Sequence, residues 1–200
     1  MLIKRIRRFP QGAFFTRTRE QFEEIRSPDV HHGRKNADFG QGFYMSPDRS
    51  FSERWAKERK GSNTVINTYE LLTDGLRIKR LDRDEEWFDC IFSNRNGKSD
   101  LLSGYDVIIG PIANDILYDV FGIPTSGFLN REQSLQLLLV GPVYTQVVIR
   151  TEKAAEQLTW LSSEVLDHEK IMLMQQAMLR EQEEYQALFT EKMEKIADLH

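Results

Sequence analysis

The residues best suited to chemistry lie in a few short strings, and the first of these joins glycines to aromatic rings. It runs Asp38-Phe39-Gly40-Gln41-Gly42-Phe43-Tyr44-Met45-Ser46. Glycine permits tight turning and lets the backbone approach another group closely. An aromatic ring beside such glycines can stack on a flat ligand, although a tightly packed strand and turn uses the same residues.

Familiar catalytic motifs do not accompany this string. Asp38-Phe39-Gly40 matches the kinase triplet, but the chain has no HRD catalytic loop, Walker loop or G-x-G-x-x-G turn. His31 and His32 are adjacent, and adjacent side chains rarely converge on one metal, so a solvated loop is favoured over a zinc site. Cys90 is the only cysteine, which excludes an intrachain disulfide.

Several strings, taken in order, resemble an uncharacterised bacterial family within the ADP-ribosyltransferase superfamily. After the glycine–aromatic string come Trp55-Ala56, Trp87-Phe88, Asn94-Arg95, Tyr105-Asp106-Val107-Ile108-Ile109-Gly110-Pro111-Ile112-Ala113-Asn114-Asp115, and Thr145-Gln146 followed by Thr151-Glu152-Lys153-Ala154. The family's pattern is roughly DFG-x-GFY-x-T, EW-x-x-F, NR, YD-x-V-x-GP-x-A-x-D, and a glutamine strand before a T-x-K-A-L helix. The resemblance spans residues 13–161, and the combination is more specific than any single string.

The resemblance implies a site for NAD, used as a co-substrate without a metal. Tyr44 would stack on nicotinamide, Gly40 and Gly42 would let the backbone close on the ring, and Gln146 would hold the ribose. Tyr44 and Gln146 are therefore the expected catalytic residues. The expected cofactor-binding residues are Phe39, Gly40, Gly42, Phe43, Tyr44, Ser46, Asn94, Arg95, Asn114 and Asp115.

This chain departs from the superfamily at a position where a glutamate is common and Gln146 stands instead. Glutamine can accept a hydrogen bond from the ribose 2′-hydroxyl, but it supplies no negative charge to an oxocarbenium-like transition state. Electrostatic terms of this kind are typically worth about 3 kcal/mol. Three explanations stay open: Asp106 or Asp115 substitutes as the acid, activity is slow, or the domain only binds.

A second departure lies near the N-terminus, where the family carries His-Gly-Ser/Thr and this chain reads Phe15-Thr16-Arg17-Thr18. Thr16 or Arg17 could contact the cofactor instead, and His32-Gly33 mimics the lost motif.

A buried Asn-Arg pair with aspartates is also typical of a structural network, because charges inside a protein must be paired. Arg95 with Asp106 fits that description. We therefore expect a structural role for Asp106 and a site role for Asn114 and Asp115.

The resemblance predicts an NAD-dependent mono-ADP-ribosyltransferase that passes ADP-ribose to a macromolecular or small acceptor, as a toxin, effector or regulator. The alternative is a catalytically degenerate module that binds a nucleotide, or nothing, and acts through its C-terminal helix. A net charge of -4 without basic–aromatic patterning disfavours nucleic acid as a partner. The lack of a signal-peptide core or a long apolar run predicts a cytoplasmic protein without a membrane partner.

The expected architecture is α+β, because strands alternate with helices but several connections are too short for a parallel doubly wound sheet. The resemblance implies a split β-sheet with short flanking helices over residues 1–162. Alternation and β-forming residues predict strands at 13–16, 64–72, 76–81, 105–112 and 145–150. A helical turn is predicted at 19–26, and helices are predicted at 46–60, from Asp82 to a break at 94–97, and at 113–121, 131–139 and 151–161. The predicted caps are Ser46, Asp82 and Thr151, together with a capping box of Asn130 and Gln133 before the helix at 131–139.

Residues 163–200 form a predicted helical extension. From Glu164 to Leu199 the chain has no glycine or proline and is rich in helix-forming residues. Apolar side chains recur in a stripe that Glu181 interrupts: Ile171, Met174, Met178, Tyr185 and Leu188, with Phe189 and Ile196 alongside. Two interpretations stay open, packing on the chain's own domain or contact through 164–199 with a protein partner or a second copy.

Overall fold

A computed structural model of the chain describes residues 14–19, 27–54, 64–113 and 130–197. The strands are β1 (Phe14–Arg19), β2 (Phe43–Met45), β3 (Thr64–Leu71), β4 (Ile78–Arg80), β5 (Val107–Pro111), β6 (Thr145–Ile149) and β7 (Leu158–Val165). The helices are α1 (Arg49–Arg54), α2 (Glu85–Arg95), α3 (Arg131–Leu138), α4 (Glu152–Ala155) and α5 (His168–Ala197). This mixture of strands and helices confirms the predicted α+β class.

The strands form two separate sheets. One has the order β1-β3-β7 and is antiparallel throughout, and the other has the order β2-β6-β5-β4. In the second sheet only β4 and β5 run parallel, whereas β6 is antiparallel to both of its neighbours. The predicted strands at 64–72, 105–112 and 145–150 are confirmed with ends that differ by one or two residues.

The central strands of the second sheet, β5 and β6, are buried on both faces. Val107, Ile109, Val147 and Ile149 point toward the first sheet, where they meet Phe14 and Tyr69 in what we call the inter-sheet core. The alternate residues Ile108 and Val148 point to the other side, into a helix-side core with Phe39, Trp87 and Ile91. Because side chains alternate along a strand, the apolar residues at 107–109 and 147–149 point in turn to one core and to the other.

The predicted helix at 151–161 is wrong in its second half. Thr151 does cap a helix, since its side chain accepts from Ala154 N, but α4 ends at Ala155. Residues 158–165 instead form β7, which pairs with the whole length of β3. Pairing between strands so far apart in the chain overrides the local preference. The predicted boundary at residue 162 therefore falls inside β7, and α5 begins at His168 rather than Glu164.

Two predicted helix caps are each two residues out of place. Ser46 follows β2 and donates through Oγ to the Thr145 carbonyl. Asp48 instead accepts from the Phe51 amide at the start of α1. Asp84, not Asp82, accepts from the Trp87 amide and caps α2. The capping box of Asn130 and Gln133 is confirmed at the start of α3. Three predicted segments lie mostly outside the described residues: 114–121 of the helix 113–121, 20–26 of the turn at 19–26, and the end of the 46–60 helix. Arg19, where the turn was predicted to begin, is the last residue of β1.

The long helix α5 packs on its own domain. Tyr185, Phe189 and Ile196 are at least 95% buried in the helix-side core. Glu181, which interrupts the apolar stripe, accepts hydrogen bonds from Arg54 and from the Tyr144 hydroxyl. Leu173, Leu179 and Leu188 stay at least half exposed on the same helix. None of the described helices is both long and apolar enough to cross a bilayer.

Candidate functional site

Strands β2 and β6 bring the two expected catalytic residues together. Their antiparallel register sets Tyr44 opposite Val148 and Met45 opposite Val147. Gln146 lies two residues from Val148, so its side chain leaves the sheet on the same side as Tyr44. The two residues therefore share one face of adjacent strands, the face that carries the helix-side core.

The Asp38 carboxylate is the centre of the polar cluster around Gln146. Its Oδ1 accepts from Arg95 through both Nε, at 2.7 Å, and Nη2. Its Oδ2 accepts from the Gln146 Nε2 at 3.0 Å and from the Ala113 amide at 3.1 Å. A buried carboxylate needs such partners, and here two arginine nitrogens on one oxygen and a side-chain amide and a backbone amide on the other supply them.

Helix α2 contributes the Asn-Arg pair to this cluster from its last turn. Asn94 donates from Nδ2 to the Asp38 backbone carbonyl at 3.0 Å, while Arg95 holds the Asp38 side chain. The Asp38 side chain is 9% exposed and the Arg95 side chain 14%. Asn94 and Arg95 thus both bond Asp38, which in turn accepts from Gln146. The predicted pairing of Arg95 with Asp106 is wrong, because Arg95 pairs with Asp38.

Asp106 is a structural residue at the other end of β5. It accepts from the Arg77 amide at 2.7 Å and from the Thr151 hydroxyl at 2.9 Å. Burial raises the pKa of this carboxyl, but the hydrogen bonds from Arg77 and Thr151 lower it by more, so the pKa lies below its usual value. Gly110 is the residue paired with Gln146, and it stands four positions beyond Asp106, or roughly 13 Å along the extended chain. Asp106 is therefore too far away to replace the missing acid at position 146.

The Tyr44 hydroxyl closes the loop that carries Gly40 and Gly42. The hydroxyl donates to the Gly40 carbonyl at 2.7 Å and accepts from the Phe39 amide at 3.0 Å. Burial raises the pKa of this phenol above its usual value, so the hydroxyl stays protonated near neutral pH. The Tyr44 ring is half-buried and packs against the helix-side core.

We expect Tyr44→Phe to lower the free energy of unfolding by about 1–3 kcal/mol, because two backbone groups lose their partner. The measurement is urea denaturation followed by circular dichroism. Tyr105→Phe is the matched control, since Tyr105 is also a half-buried tyrosine packed on the same core. Equal small effects for both variants would contradict the loop-closing role of Tyr44.

The glycines of this loop are required by the protein itself. A Cβ at Gly42 would lie 2.6 Å from the Ile149 carbonyl oxygen and 2.7 Å from Val148 Cγ1, so β6 fills that space. Gly40 has a φ of 77°, which favours glycine, and a Cβ there would lie 3.4 Å from Arg150 Nη2. Strand β6 thus occupies the space beside Gly42, and no room for a nicotinamide ring is left there.

The side chains of the remaining predicted site residues within the described ranges make packing or backbone contacts. Phe39 is 0% exposed within the helix-side core, so its ring serves packing. Phe43 points to the opposite face of β2 and meets Tyr69 edge-to-face with ring centroids 5.6 Å apart. Ser46 ends the β2–β6 pairing through Thr145. Asn114 and Asp115 lie outside the described residues.

The structure places the two segments that were compared with the family's N-terminal His-Gly motif, Thr16-Arg17 and His32-Gly33. Thr16 and Arg17 lie on β1, in the other sheet, where they pair with Asn67 and Ile66. His31 and His32 are exposed, which confirms the predicted solvated loop, and Gly33 lies against the Gly42 carbonyl. Within the described ranges, no three His, Cys, Asp or Glu side chains group closely enough to hold a metal ion.

Sequence reasoning missed the roles of Asp38, the centre of the polar cluster, and of Arg150, which lies beside Gly40. Asp38 opens the glycine–aromatic string shared with the resembling family, and this was a signal that its position matters. Arg150 follows β6 and bonds Asp100 and the Leu102 carbonyl, the latter at 2.9 Å, with its guanidinium beside Gly40. No pattern in the sequence singled out Arg150.

Comparison with known proteins gives one result. The model of a family described as protein of unknown function, DUF3990, matches residues 9–160. No curated protein and no solved structure matches the chain. The match runs from β1 to the start of β7 and includes every residue of the Asp38 cluster. The chain is therefore a member of the DUF3990 family.

Proposed function

We propose that this chain is an ADP-ribosyltransferase-like protein that binds NAD beside Tyr44 and Gln146 and transfers ADP-ribose to a macromolecular or small acceptor. The observation that supports this most is the pairing of β2 with β6. It sets Tyr44 and Gln146 on one face. Gln146 donates to Asp38, which Asn94 and Arg95 hold in place. An ordered cluster of this kind, next to an aromatic ring, suits a ligand with hydroxyl groups and a flat ring.

In the proposed reaction, the glycosidic bond between nicotinamide and ribose C1′ breaks, and the bonding electrons leave with neutral nicotinamide. The acceptor's nucleophilic atom then bonds C1′ and loses a proton. Gln146 would accept a hydrogen bond from a ribose hydroxyl and orient the sugar. Because Gln146 carries no charge, less of the positive charge developing at C1′ is stabilised, and we expect slow turnover.

The second candidate is a module that lacks catalysis and works through contacts of α5. Leu173, Leu179 and Leu188 support it, since these large apolar side chains are 63%, 57% and 50% exposed on one helix. These side chains are not buried against the chain's own domain, so they are available for contact with another protein. The neutral residue at position 146 supports the same alternative.

A titration with NAD separates the two candidates. We expect NAD to raise the melting temperature of the full chain, because a ligand that binds only the folded state stabilises it by about 2.7 kcal/mol at 100 times its Kd. Free nicotinamide is quantified by chromatography in the same samples. Gln146→Ala should reduce both signals, and Gln182→Ala, an exposed residue of α5, is the matched control.

Each result points to one candidate. A thermal shift with slow, Gln146-dependent nicotinamide release supports the transferase. A shift without release supports a binding module, and no shift at millimolar NAD contradicts the proposed NAD site.

A further inference from the structure

The side-chain amide of Gln146 has a fixed direction. Its Nε2 lies 3.0 Å from Asp38 Oδ2 and 3.5 Å from the Pro111 carbonyl oxygen. Both neighbours are acceptors, so the amide nitrogen, which is the donor end, must face them. The carbonyl oxygen Oε1 consequently points away from Asp38.

Asp38 itself cannot rotate to relax this arrangement. Arg95 holds Oδ1 through two nitrogens, and the Ala113 amide holds Oδ2 at 3.1 Å. Asn94 fixes the backbone carbonyl of the same residue at 3.0 Å. The carboxylate is therefore a preorganised acceptor for Gln146, with donors on both of its oxygens.

We infer that Asp38 is a positioning residue that makes position 146 present a hydrogen-bond acceptor, the Gln146 Oε1, to a hydroxyl-bearing ligand. This inference rests on the proposed function for the identity of that ligand, a ribose. It also explains the glutamine. A glutamate at position 146 would set two carboxylates at the 3.0 Å spacing of the present hydrogen bond, and like charges at that distance cannot both ionise.

The variant Asp38→Asn tests the orientation. Arg95 needs an acceptor, so the amide oxygen introduced at position 38 stays toward Arg95 and the new amino group replaces Oδ2. Gln146 then meets a donor instead of an acceptor and turns its amide over, which presents an amino group to the ligand. We expect the affinity for ADP-ribose, measured by calorimetry, to fall by about tenfold to a hundredfold, since the ligand hydroxyl then loses its acceptor.

The double variant Asp38→Asn with Gln146→Glu restores the acceptor. The amide introduced at position 38 can donate to one oxygen of the carboxylate introduced at position 146, while the other oxygen faces the ligand. We therefore expect most of the lost affinity to return. A purely structural role for Asp38 predicts no such recovery, because the double variant keeps the same change at position 38. Asp89→Asn is the control, since Asp89 pairs with Arg131 on the surface.

Stability without ligand gives an independent readout. Asp38→Asn and Gln146→Glu should each lower the melting temperature, and the double variant should lower it by clearly less than the sum. Additive shifts, or a double variant that binds ADP-ribose no better than Asp38→Asn, would overturn the inference. If the wild-type chain binds neither NAD nor ADP-ribose while the shifts are non-additive, the proposed function fails and the orienting role of Asp38 is supported.

Discussion

Replacing Asp38 with alanine should lower the free energy of unfolding by about 3–5 kcal/mol, because the buried Arg95 guanidinium would lose the carboxylate that neutralises it. The Ala113 amide and the Gln146 amide lose the same acceptor. Few single substitutions cost as much as removing one member of a buried ion pair. The measurement is equilibrium denaturation in urea, followed by circular dichroism and by tryptophan fluorescence.

Asp89→Ala is the matched control for this experiment. Asp89 also accepts from an arginine, Arg131 at 2.8 Å, but its side chain is 48% exposed. Exposed pairs of this kind contribute about 0–1 kcal/mol. If Asp38→Ala cost no more than Asp89→Ala, the cluster around Gln146 would not be a stabilising network.

The second large effect is expected at Trp87. Trp87 is 0% exposed in the helix-side core, and its indole Nε1 donates to the Pro111 carbonyl at 2.8 Å. Trp87→Ala should lower the free energy of unfolding by about 3–5 kcal/mol, because it removes a large buried ring and leaves a cavity. The measurement is the same urea denaturation, followed by circular dichroism because the substitution removes a tryptophan.

Trp87→Phe separates packing from hydrogen bonding. Phenylalanine keeps most of the apolar contact but lacks the indole donor, which leaves the Pro111 carbonyl with only the 3.5 Å contact from Gln146 among the described partners. We expect an intermediate loss, of which about 1–3 kcal/mol comes from the unsatisfied carbonyl. A Phe variant as unstable as the Ala variant would contradict the packing contribution.

Local signals were sufficient for part of the fold. The capping box of Asn130 and Gln133 and the fully apolar strand β5 depend on residues close together in the chain, and both are confirmed. The end of the helix after Thr151 was wrong, because residues 158–165 become a strand only through pairing with β3. Partners so distant in sequence leave no local periodicity that identifies them.

The sequence likewise predicted only part of the candidate site. The spacing of glycines and aromatics pointed to Tyr44, and the resemblance pointed to Asn94, Arg95 and Gln146. Asp38 and Arg95 are separated by 57 positions, and their pairing depends on how α2 lies against the loop before β2. The same limit applies to Phe43, whose direction is decided by the β2–β6 register rather than by its neighbours in the string.

Tyr185, Phe189 and Ile196 belong to the helix-side core but lie outside the stretch that the family model matches. The matched stretch ends at residue 160, inside β7 and before α5. A polypeptide cut there would keep every residue of the Asp38 cluster but would lose Tyr185, Phe189 and Ile196, which belong to the helix-side core. The residues matched by the family and some of the residues that complete its core therefore lie in different parts of the chain.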